Sequence, residues 1–479
     1  MKKNYLYNLS LSLANILFPI LSFPYASRIL EPEGIGKVQV VSSFAQYFAL
    51  IAALGIPVYG IQEIAKYRHN KKELSAVFSE LIIIYFITSV LISFLYLAVI
   101  YSFPFFRPNL QLYLYAVCII LLGFSSIDWL YAGLEAFRII SIRSVIIKAL
   151  ALVLLYVFVK EKTDYEKYLL ILIFSILGNN IINLFMIRNR CSLVFKNLAF
   201  QQHLRPMFFI FGTTIASSIY TYLDSVLLGM LANEHAVGFY TAAIKLAKIA
   251  IPIIISIGAV LVPRLAKNFS TSNFPEIQQL LNKSFQFISF SSIPITFGLA
   301  ILAPEFILIF SGSKFLPAVP CMQILSVLPL IISLGYFFAF QILIPAGKSR
   351  EVFVAAITGV VTGLLLNFIL IPFYGENGAA IANVSCEVLV LLVYIYYARK
   401  YFKLQYYWHL FYRSTVSALL FIPVIWFIRQ VHFPVLWTLL LCIAVCGILY
   451  SLVQFYLFKN QFIAGIRNTL IQKLQSFKH

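Results

Sequence analysis

The residues of this sequence that could do chemistry stand where charge is costly. Asp224 and Lys245 lie in neighbouring apolar runs, each about seven residues from the loop that joins them, and Lys248 follows one helical turn deeper on the face of Lys245. Arg28 closes the first apolar run behind Pro19 and Pro24, within FPYASRILEPEGIGK, residues 23 to 37. Glu387 is the deepest carboxylate, about nine residues into its run, and Asp128 stands with Trp129 and Glu135 near the end of another. Fixed cations in such places hold anions or pair with carboxylates, and a carboxylate there is a proton or cation site or a packing group. Asp224 and Lys245 read as an interhelical ion pair or as part of a wet cationic cavity. Lys248 leaves a surplus positive charge, which favours the cavity. Arg28 reads equally as an interfacial anchor or, on a proline-bent helix, as a residue turned to the bundle axis. Lys148, one turn inside the inner end of its run, reads as a snorkelling side chain. Bond-making chemistry has no signature: there is no HExxH, no paired DxD carboxylates and no GxxxxGK[ST] loop, so ATP hydrolysis by this chain is not expected.

Elements that position these charges must be solvated by lipid. The 479 residues are 61% hydrophobic and 11% charged, with a mean hydropathy of +0.92, whereas soluble domains are about a quarter charged. A net charge of +19 would suggest nucleic acid in a soluble protein. In a membrane protein the same excess belongs to the cytoplasmic loops. The six cysteines are scattered and read as packing residues; Cys442 and Cys446 share a helix face without further ligands. Lys2 and Lys3 precede the first apolar run as in a signal peptide, but that run continues to about residue 30 and reads as an uncleaved span.

Continuous apolar runs without alternation predict helices rather than a barrel. Spans are expected at 9–30, 40–61, 79–103, 111–133, 145–160, 168–187, 208–231, 238–262, 284–310, 321–345, 353–372, 378–398, 413–429 and 436–458, fourteen in all. With the N-terminus inside, inner loops and tails hold about 25 of the 36 Lys and Arg, which argues for both termini in the cytoplasm. Outer loops are short, and the inner loop 263–283 is long enough for a surface helix. Asn179, Asn180 and Asn183 form a polar face on the sixth span, and Asn367 with Asn383 forms another pair, both suited to interhelical hydrogen bonds. LEPEGIGKVQVVSSF (30–44) and LANEHAVGFYTAAIKL (231–246) form a repeat in which Gly36 aligns with Gly238. Spans one to six and seven to twelve then make equivalent halves, a transporter architecture.

NLSLSLANILFPILSFPYASRIL and GIGKVQVVSSFAQYFALIAALGIPVYGIQEIAKYR closely resemble the amino end of polysaccharide-repeat flippases of the O-antigen type. Those proteins belong to the multidrug/oligosaccharidyl-lipid/polysaccharide exporter superfamily. IDWLYAGLEAFRIISIRS (127–144), YLDSVLLGMLANEHAVGFYTAAIKLAK (222–248), LVPRLAK (261–267) and LNFILIPFYGENGAAIANVSCE (366–387) extend the likeness over most of residues 4 to 400. The resemblance implies an all-α membrane protein with two six-helix lobes, 1–200 and 201–400, followed by two extra helices and a basic tail in 401–479. It implies transfer of an undecaprenyl-diphosphate-linked oligosaccharide to the outer leaflet of the bacterial cytoplasmic membrane. Arg28, Lys245 and Lys248, and less directly Arg264, become the cationic residues for diphosphate and acidic sugars. Asp224, Asp128 and Glu387 become ion-coupling or charge-pairing residues. No cofactor is implied beyond H+ or Na+ as coupling ion, and the expected partners are the lipid-linked glycan, a polymerase and a chain-length regulator. A drug or cation antiporter of the same superfamily, a lipid II flippase, and a membrane-embedded polymerase or glycosyltransferase are the rival readings. The first would more naturally show an acidic cavity, and the enzymes would need a large outer loop or paired carboxylates.

The loop charges predict that cysteines placed at Asn109 and Lys314 react with an impermeant thiol reagent applied to intact cells, and that one at Lys71 does not. Labelling of Lys71→Cys from outside would reverse the orientation.

Overall fold

In a computed structural model the described residues are 2–187, 191–195, 198–402 and 408–458. The basic tail at 459–479 and the basic residues of 188–190 and 196–197 lie outside them. Among the described residues all regular structure is helical, and ten segments are long and apolar enough to cross a membrane. The chain is therefore a multi-pass, all-α membrane protein. The ten segments do not map one to one onto the fourteen expected spans. Two of them, Ser10–Tyr67 and Ser349–Tyr401, each contain a turn at which the backbone leaves the helix, at Glu31 (φ 58°) and Gly375 (φ 51°).

Internal contacts divide the chain into two compact units, Met1–Thr241 and Ala242–His479, so the seventh span groups with the first six. The first unit holds α1 (Lys2–Ala53), α2 (Ile56–Tyr67), α3 (Lys71–Ser102), α4 (Leu110–Leu121), α5 (Asp128–Gly133), α6 (Phe137–Phe158), α7 (Tyr165–Met186), α8 (Gln201–Leu231) and the start of α9 (Glu234–Lys248). Helix α1 is its hub and packs on α3, α4, α6, α7 and α8. The second unit continues with α10 (Ile251–Ser270), α11 (Phe274–Ile301), α12 (Ala303–Phe310), α13 (Val319–Leu325), α14 (Leu328–Tyr336), α15 (Ser349–Tyr401), α16 (Trp408–Leu419), α17 (Phe421–Gln430) and α18 (Val435–Tyr456). One of its cores gathers Phe285, Phe337, Phe338, Leu343 and Tyr394; another gathers Phe421, Ile425, Tyr450 and both Cys442 and Cys446, which are packing residues.

Three expectations change. The fifth span begins at Phe137 rather than at 145, because the Asp128 carboxylate makes the buried Arg143 tolerable inside it. The loop expected at 263–283 is taken up by α10 and α11, which leave only residues 271–273 between them. The eighth span breaks at residues 249–250, between α9 and α10.

The repeat glycines meet each other's loops. A methyl group on Gly36 would stand 1.7 Å from the carbonyl oxygen of Glu234, and one on Gly238 would stand 2.1 Å from that of Pro32. Main chain touches main chain at both points, so no side-chain movement could relieve a Cβ. Around this seam Glu33 pairs with Lys37 at 2.7 Å and His235 at 3.5 Å, and Lys162 reaches Glu31 at 3.0 Å. The Lys37 ammonium holds the Glu33 carboxyl below its ordinary value, with smaller help from His235 and Lys162.

Gly36→Val should push these loops apart at a cost of about 1–3 kcal/mol, the range for overpacking. The measurement is a short thiol crosslinker between cysteines at Glu33 and His235 in a Cys118→Ser background. It should react readily in the parent and several-fold more slowly with Gly36→Val; equal rates would refute the tight seam.

Candidate functional site

Charges in the apolar runs of the first unit are built into defined settings. Asp224, 5% exposed on α8, accepts the hydroxyl of Tyr240 on α9 at 2.6 Å. Close by, the Tyr222 hydroxyl donates to Gln46 at 2.9 Å, and the Tyr222 and Tyr47 rings meet at 5.9 Å. Asp224 is thus the ionisable member of a cluster of phenols joining α1, α8 and α9. Tyr240 lies sixteen residues on, across the α8–α9 turn, and no motif would have paired it with the carboxylate.

Arg28 is exposed beside a concavity of about 440 Å³ lined by Leu21, Pro24, Tyr25 and Tyr156. Pro24 removes the main-chain donor that would cover a carbonyl one turn earlier. The Tyr25 hydroxyl donates to the Val159 carbonyl at 3.0 Å, and its ring lies 4.3 Å from that of Tyr156. These contacts tie the last turns of the first span to the C-terminal end of α6.

Asp128 occupies the other end of α6. Its Oδ1 accepts from Arg143 Nη2 at 2.5 Å and from Asn183 at 3.0 Å, while Arg143 Nε donates to Asn179 at 3.2 Å. Arg143 is 3% exposed and Asp128 47%. The pair joins α5, α6 and α7, and two of the three sixth-span asparagines serve it. The concavity beside Arg28 reaches α6 at Tyr156 and the Asp128 contact reaches it at Arg143, thirteen residues apart, roughly 20 Å along a helix. The structure therefore keeps these two candidates in separate settings. The span expected at 145–160 leaves Arg143 in a loop, as a possible partner of Asp128 from there; the structure places it inside α6. Lys148, farther along α6, donates to the exposed Asn15 on α1.

The remaining candidates belong to the second unit. Lys245 and Lys248 form the last turn of α9, just before the break at 249–250. The carbonyl end of a helix favours cations, so the break supplies both lysines with a complementary dipole. Glu387 is half-buried in the second part of α15 near Tyr394, and Arg264 is exposed on α10. In the turn between α6 and α7, the Asp164 carboxyl is held down to about 2 by Lys167 and by the main-chain N–H groups of Lys160 and Glu161. No cluster of three or more His, Cys, Asp or Glu able to hold a metal occurs among the described residues.

Helices broken inside apolar runs mark this membrane-protein fold. A solved lipid II flippase, MurJ in an inward closed conformation, covers 96% of this chain and 100% of its own with a TM-score of 0.71 at 16% identity. An inward-facing multidrug resistance MATE family transporter of the MOP superfamily covers 80% of this chain and 94% of its own, with a TM-score of 0.67 at 14% identity. These likenesses are of fold. Residues 1–269 match the family model described as polysaccharide biosynthesis protein, and the chain belongs to that family. A provisionally named O-antigen transporter of Shigella dysenteriae is 27% identical over 402 residues, 82% of this chain and 98% of its own length.

Removing one member of a buried pair leaves the other uncompensated, at a cost of about 3–5 kcal/mol. With Asp128 half exposed, Asp128→Ala should fall near the lower figure, and the double variant Asp128→Leu, Arg143→Met should recover much of it. Unfolding in mixed detergent micelles is the measurement. Equal stability of Asp128→Ala and the parent would deny the pair its organising role.

Proposed function

We propose that this protein is a flippase that carries an undecaprenyl-diphosphate-linked oligosaccharide, an O-antigen or capsule repeat unit, from the inner to the outer leaflet of the cytoplasmic membrane. Support comes chiefly from the alignment along 98% of the Shigella transporter. The physical chemistry agrees. A diphosphate and a chain of hydroxyls cannot enter hydrocarbon unescorted, whereas the polyprenyl tail is at home there. Escort requires two conformations with different affinity for the head group and no covalent step. Lobes at 1–200 and 201–400, both termini in the cytoplasm, and a polymerase and chain-length regulator as partners complete the reading.

Arg28, Lys245 and Lys248 hold the diphosphate in this proposal, with Arg264 nearer the inner surface. Asp224 and Glu387 are the carboxylates for an H+ or Na+ coupling ion. Asp128 serves in charge pairing, because Arg143 takes its carboxylate. An antiporter of cationic drugs is disfavoured by two lysines in the last turn of α9.

Surface polysaccharide restored to a strain lacking this protein tests the assignment, with membrane abundance checked for each variant. Arginine grips phosphate in a two-pronged geometry that lysine cannot copy. Arg28→Lys should therefore keep partial function and Arg28→Ala lose most of it. Lys248→Ala should be more damaging than Lys148→Ala, and Glu387→Gln should weaken ion-coupled export. Wild-type polysaccharide from an Arg28→Ala, Lys248→Ala double variant would overturn the cationic site.

A further inference from the structure

Beside the glycine seam, three stretches of the first unit enclose a cavity of about 320 Å³. Its walls come from α1 just after the turn at Glu31, from the short helix Pro104–Asn109 that precedes α4, and from the turn between α8 and α9. All of the lining residues belong to the first unit. Its size lies at the lower end of the range for small-ligand pockets, about 300–1,000 Å³.

Each polar side chain on these walls is held by one bond and keeps part of its capacity for the cavity. Asn109 occupies the N-cap of α4 yet makes no capping bond, although an asparagine there ordinarily accepts a main-chain N–H of the first turn. Its Nδ2 donates instead to Glu234 Oε1 at 3.2 Å, which leaves Asn109 Oδ1 and Glu234 Oε2 as acceptors. Asn233 Oδ1 accepts the Ala236 N–H at 2.9 Å, so its Nδ2 protons remain as donors. Lys37 donates one proton to Glu33 at 2.7 Å and has others to give. The Glu234 main chain is wedged against Gly36, which fixes where its side chain starts. Phe105 and the buried Tyr113 add aromatic surface to the same walls.

This set of groups selects among ligand classes. A simple anion would meet the Glu234 carboxylate, and a simple cation would meet the Lys37 ammonium. Acceptors and donors alternate around the cavity, and a hydroxyl group serves both kinds of partner at once. A pyranose carries adjacent hydroxyls on its edge and C–H groups on its face, which matches polar walls beside aromatic ones. We propose that this cavity is a sugar subsite, in which Glu234, Asn109, Asn233 and Lys37 bond neighbouring hydroxyls of one neutral ring whose C–H face rests on Phe105. That the sugar belongs to the carried glycan rests on the flippase reading; that the cavity takes a sugar does not.

Saturation-transfer NMR on the full-length protein in lipid nanodiscs tests the subsite. The probes are the methyl glycosides of glucose, galactose, mannose, rhamnose and N-acetylglucosamine, with inorganic phosphate and glycine as competitors. At least one glycoside should take up saturation in the parent, and neither competitor should displace it. Glu234→Ala leaves the main-chain seam in place and should weaken that glycoside roughly tenfold, as expected for loss of a hydrogen bond to a charged group. Phe105→Leu keeps the wall apolar but removes the ring, and should weaken it several-fold; it decides if Glu234→Ala does not fold. No saturation of any glycoside, displacement by phosphate or glycine, or unchanged binding in the variants would overturn the subsite. None of these results bears on the flippase reading, which stands or falls on restored surface polysaccharide.

Discussion

No water reaches the hydrocarbon core to satisfy a main-chain group, and an unpaired N–H or C=O there costs several kcal/mol. That constraint accounts for the wholly helical architecture and for how its interruptions are closed. At Leu54 and Gly55 the chain leaves α1, yet Leu54 N–H bonds the Ile51 carbonyl and the Gly55 carbonyl accepts from Val58 and Tyr59. At 249–250 the Ile249 N–H bonds the Leu246 carbonyl, and the Ala250 carbonyl accepts from Ile253 and Ile254. Each break keeps its nearest groups paired within the turn and still creates two helix ends. Helix ends carry partial charge, and this is where Lys245 and Lys248 sit.

Charges inside the apolar runs obey the same rule by different means. Arg143 has a carboxylate and an amide, Lys148 an amide, and Asp224 a phenol. The partners differ in what they leave free. An ion pair such as Arg143–Asp128 neutralises both members and suits a fixed joint between α5, α6 and α7. A helix terminus offers only a fraction of a charge. At the last turn of α9 that fraction favours the positive charge of Lys245 and Lys248.

The all-helical class and the repeat could be read from residue order, because both rest on local pattern: continuous apolar runs, and glycine after a short polar loop. The reciprocal approach of Gly36 and Gly238 gives that repeat a physical reason, since neither loop can approach the other with a Cβ present. Exact spans could not be read where charge is compensated by a distant partner. Arg143 and Glu80 looked like residues at or beyond a span end, because the partners that bury them lie 15 and 123 positions away. The break at 249–250 is marked only by Pro252 in the first turn of α10, a signal that the continuous apolar run around it overrides. Asp224 was recognised by depth alone, whereas its phenol partner depends on how α8 and α9 meet.

Helix α8 links the two ends of the first unit. Its 31 residues make a rod of roughly 46 Å. Near its C-terminal end Gly229 packs so closely on Val40 that a Cβ would stand 2.6 Å from its methyl, and the Gly36–Glu234 and Gly238–Pro32 contacts follow just beyond. At its N-terminal end His203 joins it to Glu80 and Tyr59. One joint is therefore steric, main chain against main chain, where any side chain would intrude; the other is polar, a set of buried hydrogen bonds in which each group satisfies its neighbour.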